Sequence, residues 1–182
     1  TVPVEDHLVY HKMAVTLLDN DLRLQTTSRP IGYPLVLSWV YWLFGIHYKV
    51  AQIFNVLLSF FTAITLFIFV RNLYGKKISK IFLVIITFFP SLIFVNSLIS
   101  SEVLHMFVIS MIFLLLQKKG SDRYSLIVIG LLIGLSALIR PITLLLPVVL
   151  FIYFLLGSKS LFVTIKKISI ISLSFLILLA PQ

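Results

Sequence analysis

Residues 50–70 read VAQIFNVLLSFFTAITLFIFV, followed by RNLYGKK at 71–77 and ISKIFLVIITFFPSLIFVNSL at 78–98. The first run holds 21 residues without a charge, and the second holds one, Lys80. An α-helix rises about 1.5 Å per residue, so roughly 20 apolar residues cross a hydrocarbon core of about 30 Å. Two apolar stretches of that length around a short basic turn are the pattern of a membrane hairpin. Moving outward, the same alternation recurs over Glu102–Gln117, Tyr124–Ile139, Pro141–Gly157 and Leu161–Ala180. The shorter of these runs suit a bundle that thins the bilayer locally.

The whole chain agrees. Of its 182 residues, 60% are hydrophobic and 12% charged, with a mean hydropathy of +1.12. A soluble domain holds about 45–50% apolar and about 25% charged residues, which excludes an ordinary water-soluble fold. Disorder requires the opposite balance. The net charge of +9 does not point to nucleic acid, because no basic stripe can face water when most of the chain lies in lipid. Without cysteine there are no disulfides, thiolate metal sites or cysteine nucleophile, and redox compartment stays undetermined. The fold class expected is all-α: a polytopic transmembrane helix bundle of about six spans. The chain opens at Thr1 and ends on Pro181-Gln182 after an apolar run, so a piece of a longer membrane protein is expected.

Lysine and arginine collect in cytoplasmic loops. Arg71, Lys76, Lys77 and Lys80 flank one turn, Lys118, Lys119 and Arg123 another, and Lys159, Lys166 and Lys167 a third. The intervening junctions, His47-Tyr48-Lys49, Ser97–Ser101 and Arg140-Pro141, are nearly free of basic residues. The basic side is assigned to the cytoplasm. Nearer the start, Leu8–Leu18 has helical apolar spacing between Asp6 and Asp19, as in a short interfacial helix. Ile31–Ile46, with Trp39, Tyr41, Trp42 and Phe44, either spans or lies at headgroup level; Lys12, Arg23 and Arg29 nearly balance Glu5, Asp6, Asp19 and Asp21, so charge leaves both placements open.

Few groups outside the basic turns can carry chemistry. Glu102 follows Ser100-Ser101 at a helix start, where a serine cap and the helix dipole favour an acid; an acid at a membrane boundary also marks a functional cavity. His105 lies one turn further on the same face, within reach of Glu102. Arg140-Pro141 interrupts an apolar stretch on the sparsely basic side. Its guanidinium either snorkels to headgroups or binds phosphate, and Pro141 fits the first turn of the next helix. Gly130 and Gly134 form a close-packing GxxxG. Glu5-Asp6 is an acid pair, most often simply solvated. No Walker loop, GxGxxG, HExxH or GxSxG occurs, so soluble nucleotide chemistry is unsupported.

In order along the chain come Asp6-x-x-x-Tyr10-x-x-x-Ala14, Arg29-Pro30-Ile31-Gly32-Tyr33-Pro34-Leu35, Leu43-Phe44-Gly45, Ala51-Gln52-x-x-Asn55 and Arg71-x-x-Tyr74-Gly75. Phe89-Pro90-Ser91, Ser101-Glu102 and Gly130-x-x-x-Gly134-Leu135-x-x-Leu138-Ile139-Arg140-Pro141 close the series. Each is short, but their joint order resembles the N-terminal half of a GT-C-class glycosyltransferase of the family 39 type, whose relatives are the protein O-mannosyltransferases and the aminoarabinose transferase that modifies lipid A. The resemblance implies a multi-pass cell-membrane enzyme that takes a sugar from a polyprenyl-phosphate donor on the extracytoplasmic face and gives it to a glycan, lipid or protein acceptor, with no nucleic-acid partner.

It further implies that 1–49 form an extracytoplasmic loop with interfacial helices and 50–182 the partial transmembrane bundle. Asp6 takes the place of an essential acid and Glu102 that of a second; Glu5, Tyr10, Arg29, Tyr33 and Arg140 are placed with the substrate, Arg29 and Arg140 toward its phosphate. No metal ligands are assigned, and a divalent cation is the one cofactor left open. With that topology the whole +9 falls on the cytoplasmic side. The competing readings are a lipid or polysaccharide transporter or flippase fragment, and a truncated, inactive membrane subunit. A transporter would show midplane charges and broken helices in matching halves; here the charges gather at one face, and no internal repeat is evident.

Overall fold

The computed structural model describes residues 4–19, 29–117, 122–158 and 160–179, and among them the side chains of all but 4–6, 158 and 179. Arg23, Asp21, Lys118, Lys119 and Lys159, and the side chains of Glu5 and Asp6, therefore lie outside the described residues. The regular structure among them is all helical, with no strand: α1 (Val4–Leu18), α2 (Gly32–Phe44), α3 (Tyr48–Thr87), α4 (Pro90–Asn96), α5 (Ser101–Leu116), α6 (Arg123–Ile139), a 3-10 turn (Pro141–Leu145), α7 (Leu146–Ser158) and α8 (Leu161–Leu179). The protein is an all-α membrane helix bundle.

Where the chain breaks its helices, a local cause is visible. The seven-residue turn expected at 71–77 contracts to one residue, Gly75, at φ 81° and ψ 177° inside α3, a conformation only glycine adopts cheaply. The run expected to span continuously over 78–98 does not. Pro90 disfavours helical geometry in the residue before it, and Phe89 is extended (φ −70°, ψ 113°), so the run divides between the end of α3 and the seven-residue α4. α4 then meets α5 at a bend of 118°. Arg140 is likewise extended (φ −145°, ψ 112°) before Pro141, which starts a 3-10 turn rather than α7 itself.

Among the described residues, two helices can cross a membrane by length and composition, Tyr48–Thr87 and Leu161–Leu178, and a third if bent α4 and α5 count as one. α5 and α6, with 16 and 17 residues, reach only about 25 Å. At 13 residues, or about 20 Å, α2 is too short to cross. It buries a stripe of Tyr33, Leu37 and Tyr41 against the bundle and leaves Trp39, Trp42 and Phe44 outside, 69–74% exposed.

α6 is the axis of the packing, touching α2, α5 and α8. Its GxxxG meets α8: a Cβ on Gly130 would sit 2.5 Å from the Ile171 carbonyl oxygen, and one on Gly134 would sit 3.0 Å from Leu178 Cβ. Gly32 lets α2 approach the other end of α6, where a Cβ would lie 2.6 Å from the Leu138 carbonyl carbon. Helices in lipid associate through such close backbone contact, because lipid tails are as apolar as the side chains.

Candidate functional site

The bend between α4 and α5 exposes backbone carbonyls that no helix can satisfy, and a buried unpaired carbonyl is costly. Three successive ones are captured by side chains from elsewhere. Gln52 Nε2 donates to the Ser97 carbonyl at 2.7 Å, Asn55 Nδ2 to Leu98 at 2.8 Å, and His7 Nδ1 to Ile99 at 2.8 Å. Because a carbonyl only accepts, the proton of neutral His7 resides on Nδ1 and Nε2 keeps its lone pair. Two elements, α1 and α3, therefore hold the bend in one shape.

Immediately after it, Ser100 caps α5 by accepting from the Glu102 backbone N–H at 3.2 Å, and Glu102 lies in the first turn, where the helix dipole favours its charge. Capping and a functional acid are the two readings of this segment; the geometry shows the cap and leaves the acid partly exposed. Glu102 Oε1 accepts from Arg140 Nη2 at 2.7 Å, with the two side chains 46% and 40% exposed. His105 does not bond Glu102. Its Nε2 lies 3.0 Å from Thr143 Oγ1, which is 3.1 Å from Ser136 Oγ. Arg140 engages the acid, and the histidine instead ties α5 to buried Thr143 in the turn that follows Arg140.

On the facing side, the Tyr10 hydroxyl of α1 lies 3.3 Å from Ser101 Oγ. Together His7, Tyr10, Arg29, Ser101, Glu102 and Arg140 line an open cleft of about 480 Å³, with Phe94, Val95, Leu98 and Ile139 as apolar wall. Four sequence-predicted residues, Tyr10, Arg29, Glu102 and Arg140, thus meet at one site although up to 130 positions separate them. Asp6 precedes His7 and stands four residues before Tyr10 on α1, so the backbone brings it to the same end of the bundle.

Tyr33 does not line the cleft. It is fully buried, its hydroxyl donates to Asn55 Oδ1 at 3.3 Å, and its ring packs edge-on against Tyr10 at 5.3 Å. The aromatic stripe of α2 places it behind Tyr10, where it positions that ring. His7, Gln52 and Asn55 did not emerge as site residues from sequence. Gln52 and Asn55 share a helical face one turn apart, a polar pair in an apolar run, and that was the available signal. His7 had none, since its partner lies 92 residues away. Among the described residues, no three His, Cys, Asp or Glu side chains converge as a metal site would require.

A family model described as dolichyl-phosphate-mannose-protein mannosyltransferase matches residues 28–182. No curated protein and no solved structure matches the chain.

Proposed function

The chain belongs to the dolichyl-phosphate-mannose-protein mannosyltransferase family, and on that premise we propose that it transfers a sugar from a polyprenyl-phosphate donor to a glycan, lipid or protein acceptor on the extracytoplasmic face of the cell membrane. The observation that carries this reading is the cleft where the Glu102–Arg140 pair, Arg29 and Tyr10 meet beside the backbone of Asp6. It lies at the opposite end of α6 from Arg123 and the basic turns, and basic turns favour the cytoplasm.

In the transfer, an acceptor oxygen or nitrogen forms a bond to the anomeric carbon as the bond from that carbon to the phosphate oxygen breaks. The acceptor loses a proton, which Asp6 takes as general base. The electron pair of the broken bond leaves with the polyprenyl phosphate, and a fixed cation stabilises that growing charge. Arg140 suits this role: a guanidinium has five donors, and one bond to Glu102 leaves others for phosphate oxygens. Glu102 holds the fork in place, Arg29 adds a second cation, and the apolar wall from Phe94 to Leu98 admits the lipid from the side.

The test uses membranes containing the protein, supplied with a radiolabelled polyprenyl-phosphate sugar. The wild type passes label to acceptor, and Asp6→Asn lowers transfer by about 100-fold or more at an unchanged protein level. Undiminished transfer by Asp6→Asn would remove the assigned base. Transfer that runs only on a nucleotide sugar would remove the lipid-phosphate donor.

A further inference from the structure

The end of the bundle away from the cleft carries a second open cavity. Arg123 opens α6, and Lys166 and Lys167 stand on α8, which packs along that helix. These three cations border about 850 Å³ of space whose remaining wall is mainly apolar, with Leu126, Phe162 and Ile170. Phe162 is 78% exposed. The Lys167 ammonium is 4.9 Å from the Phe154 ring centroid, close enough for the ring face to attract and orient it. Among the described residues none of the three cations has a carboxylate partner. The one acid beside them in sequence, Asp122, accepts a hydrogen bond from Ser125.

We propose that this cleft binds an anionic phospholipid of the surrounding bilayer, its phosphate between Arg123 and Lys166 and an acyl chain along Phe162 and Ile170. Two observations select a lipid over a soluble phosphate. Lys166 is the sixth residue of α8, about 7 Å along the axis from its first, so its long side chain reaches back to headgroup depth from inside an apolar helix. The cavity is also half hydrocarbon-like, which a free phosphate leaves uncovered and an acyl chain fills. Basic pockets between membrane helices hold acidic headgroups by this combination of charge and depth. The binding stands apart from sugar transfer and holds whichever leaflet this end faces.

Native mass spectrometry of the purified full chain in detergent tests it with phosphatidylglycerol against phosphatidylcholine. The wild type is expected to retain phosphatidylglycerol with roughly 10-fold preference, and Arg123→Gln/Lys166→Gln to lose that preference. Lys76→Gln/Lys77→Gln removes equal charge from the same end and keeps it. Equal loss in both double variants would make diffuse charge attraction the cause and overturn the site. Displacement of the lipid by millimolar glycerol phosphate would assign the cleft to a soluble phosphate and overturn it too. Should the glutamine pair fold poorly, Phe162→Asp at an exposed position reads the same cleft through its apolar half; unchanged phosphatidylglycerol binding there overturns the proposal.

Discussion

The two ends of α6 carry the same residue type in opposite settings. Arg140, just past the helix, has an acid at 2.7 Å and a backbone fixed between Pro141 and the His105–Thr143–Ser136 chain. Arg123, at the start, has lysines across from it and no carboxylate partner among the described residues. A cation with a partner and a fixed backbone is ready to meet charge that appears during a reaction, because little reorganises when it forms. Cations gathered without a carboxylate partner instead attract a standing negative charge. On the two proposals, the ends of one helix separate a site for chemistry from a site for binding.

The sharpest way to break this contrast is to truncate cations at each end and compare. Arg140→Ala is expected to lower sugar transfer by about 100-fold, with Arg140→Lys recovering part of the loss, since an ammonium keeps charge but not the fork. Lys77→Ala, at the exposed basic end, leaves transfer within about twofold, as expected for a solvated surface charge. Equal losses at both ends, read in the same radiolabel assay, would erase the distinction between them.

The next test sharpens the comparison by asking what keeps the ends in place. Gly130→Ala sets a Cβ 2.5 Å from the backbone oxygen of Ile171, so α8 must shift away from α6. Overpacking of this kind costs about 1–3 kcal/mol, or roughly 2–12 °C in Tm for a chain of this size. Gly157→Ala meets nothing within 4 Å and leaves Tm unchanged or slightly raised. A thermal scan in which both variants melt alike would remove the close-packed seam as the cause.

Much of this architecture was legible from residues, for reasons that differ by element. α1 followed from apolar spacing between Asp6 and Asp19, and the serine cap of α5 from Ser100-Ser101-Glu102, because both signals act within a turn of helix. Gly130 and Gly134 announced a close contact but not its partner, α8, since nothing local encodes which helix approaches. The division of the run over 78–98 was signalled by Pro90, yet the long apolar composition read as one span. Hydropathy weighs side chains, whereas the division is set by one backbone torsion before proline. At the site, the types of Glu102 and Arg140 were readable but not their ion pair, whose members lie 38 residues apart. His105 was placed with Glu102 by helical spacing; spacing shows who is within reach and not which partner prevails. The sealing of the bend by His7, Gln52 and Asn55 is a property of the folded bend, so it was visible only there.

The smallest expected effect distinguishes the ends by pH. His11 on α1 has Nδ1 2.8 Å from the Tyr41 hydroxyl and stacks on Tyr48 at 4.4 Å, and burial lowers its pKa below 6.5. The folded state therefore binds a proton less readily than the unfolded chain. Stability from this residue is complete above about pH 6.5 and declines as pH falls through the lowered value. Protonation puts a charge on a ring that burial keeps from water, and so loosens α1, the helix whose His7 and Tyr10 line one side of the cleft. Hydrogen exchange at pH 5.5, corrected for intrinsic rate and compared with pH 7.5, should rise in 4–19 while 161–179 stays protected. His11→Gln, which cannot be protonated, should flatten the difference. Equal protection of α1 at both pH values would show that α1 is held without His11, and would leave the cleft end as insensitive to acid as the basic end.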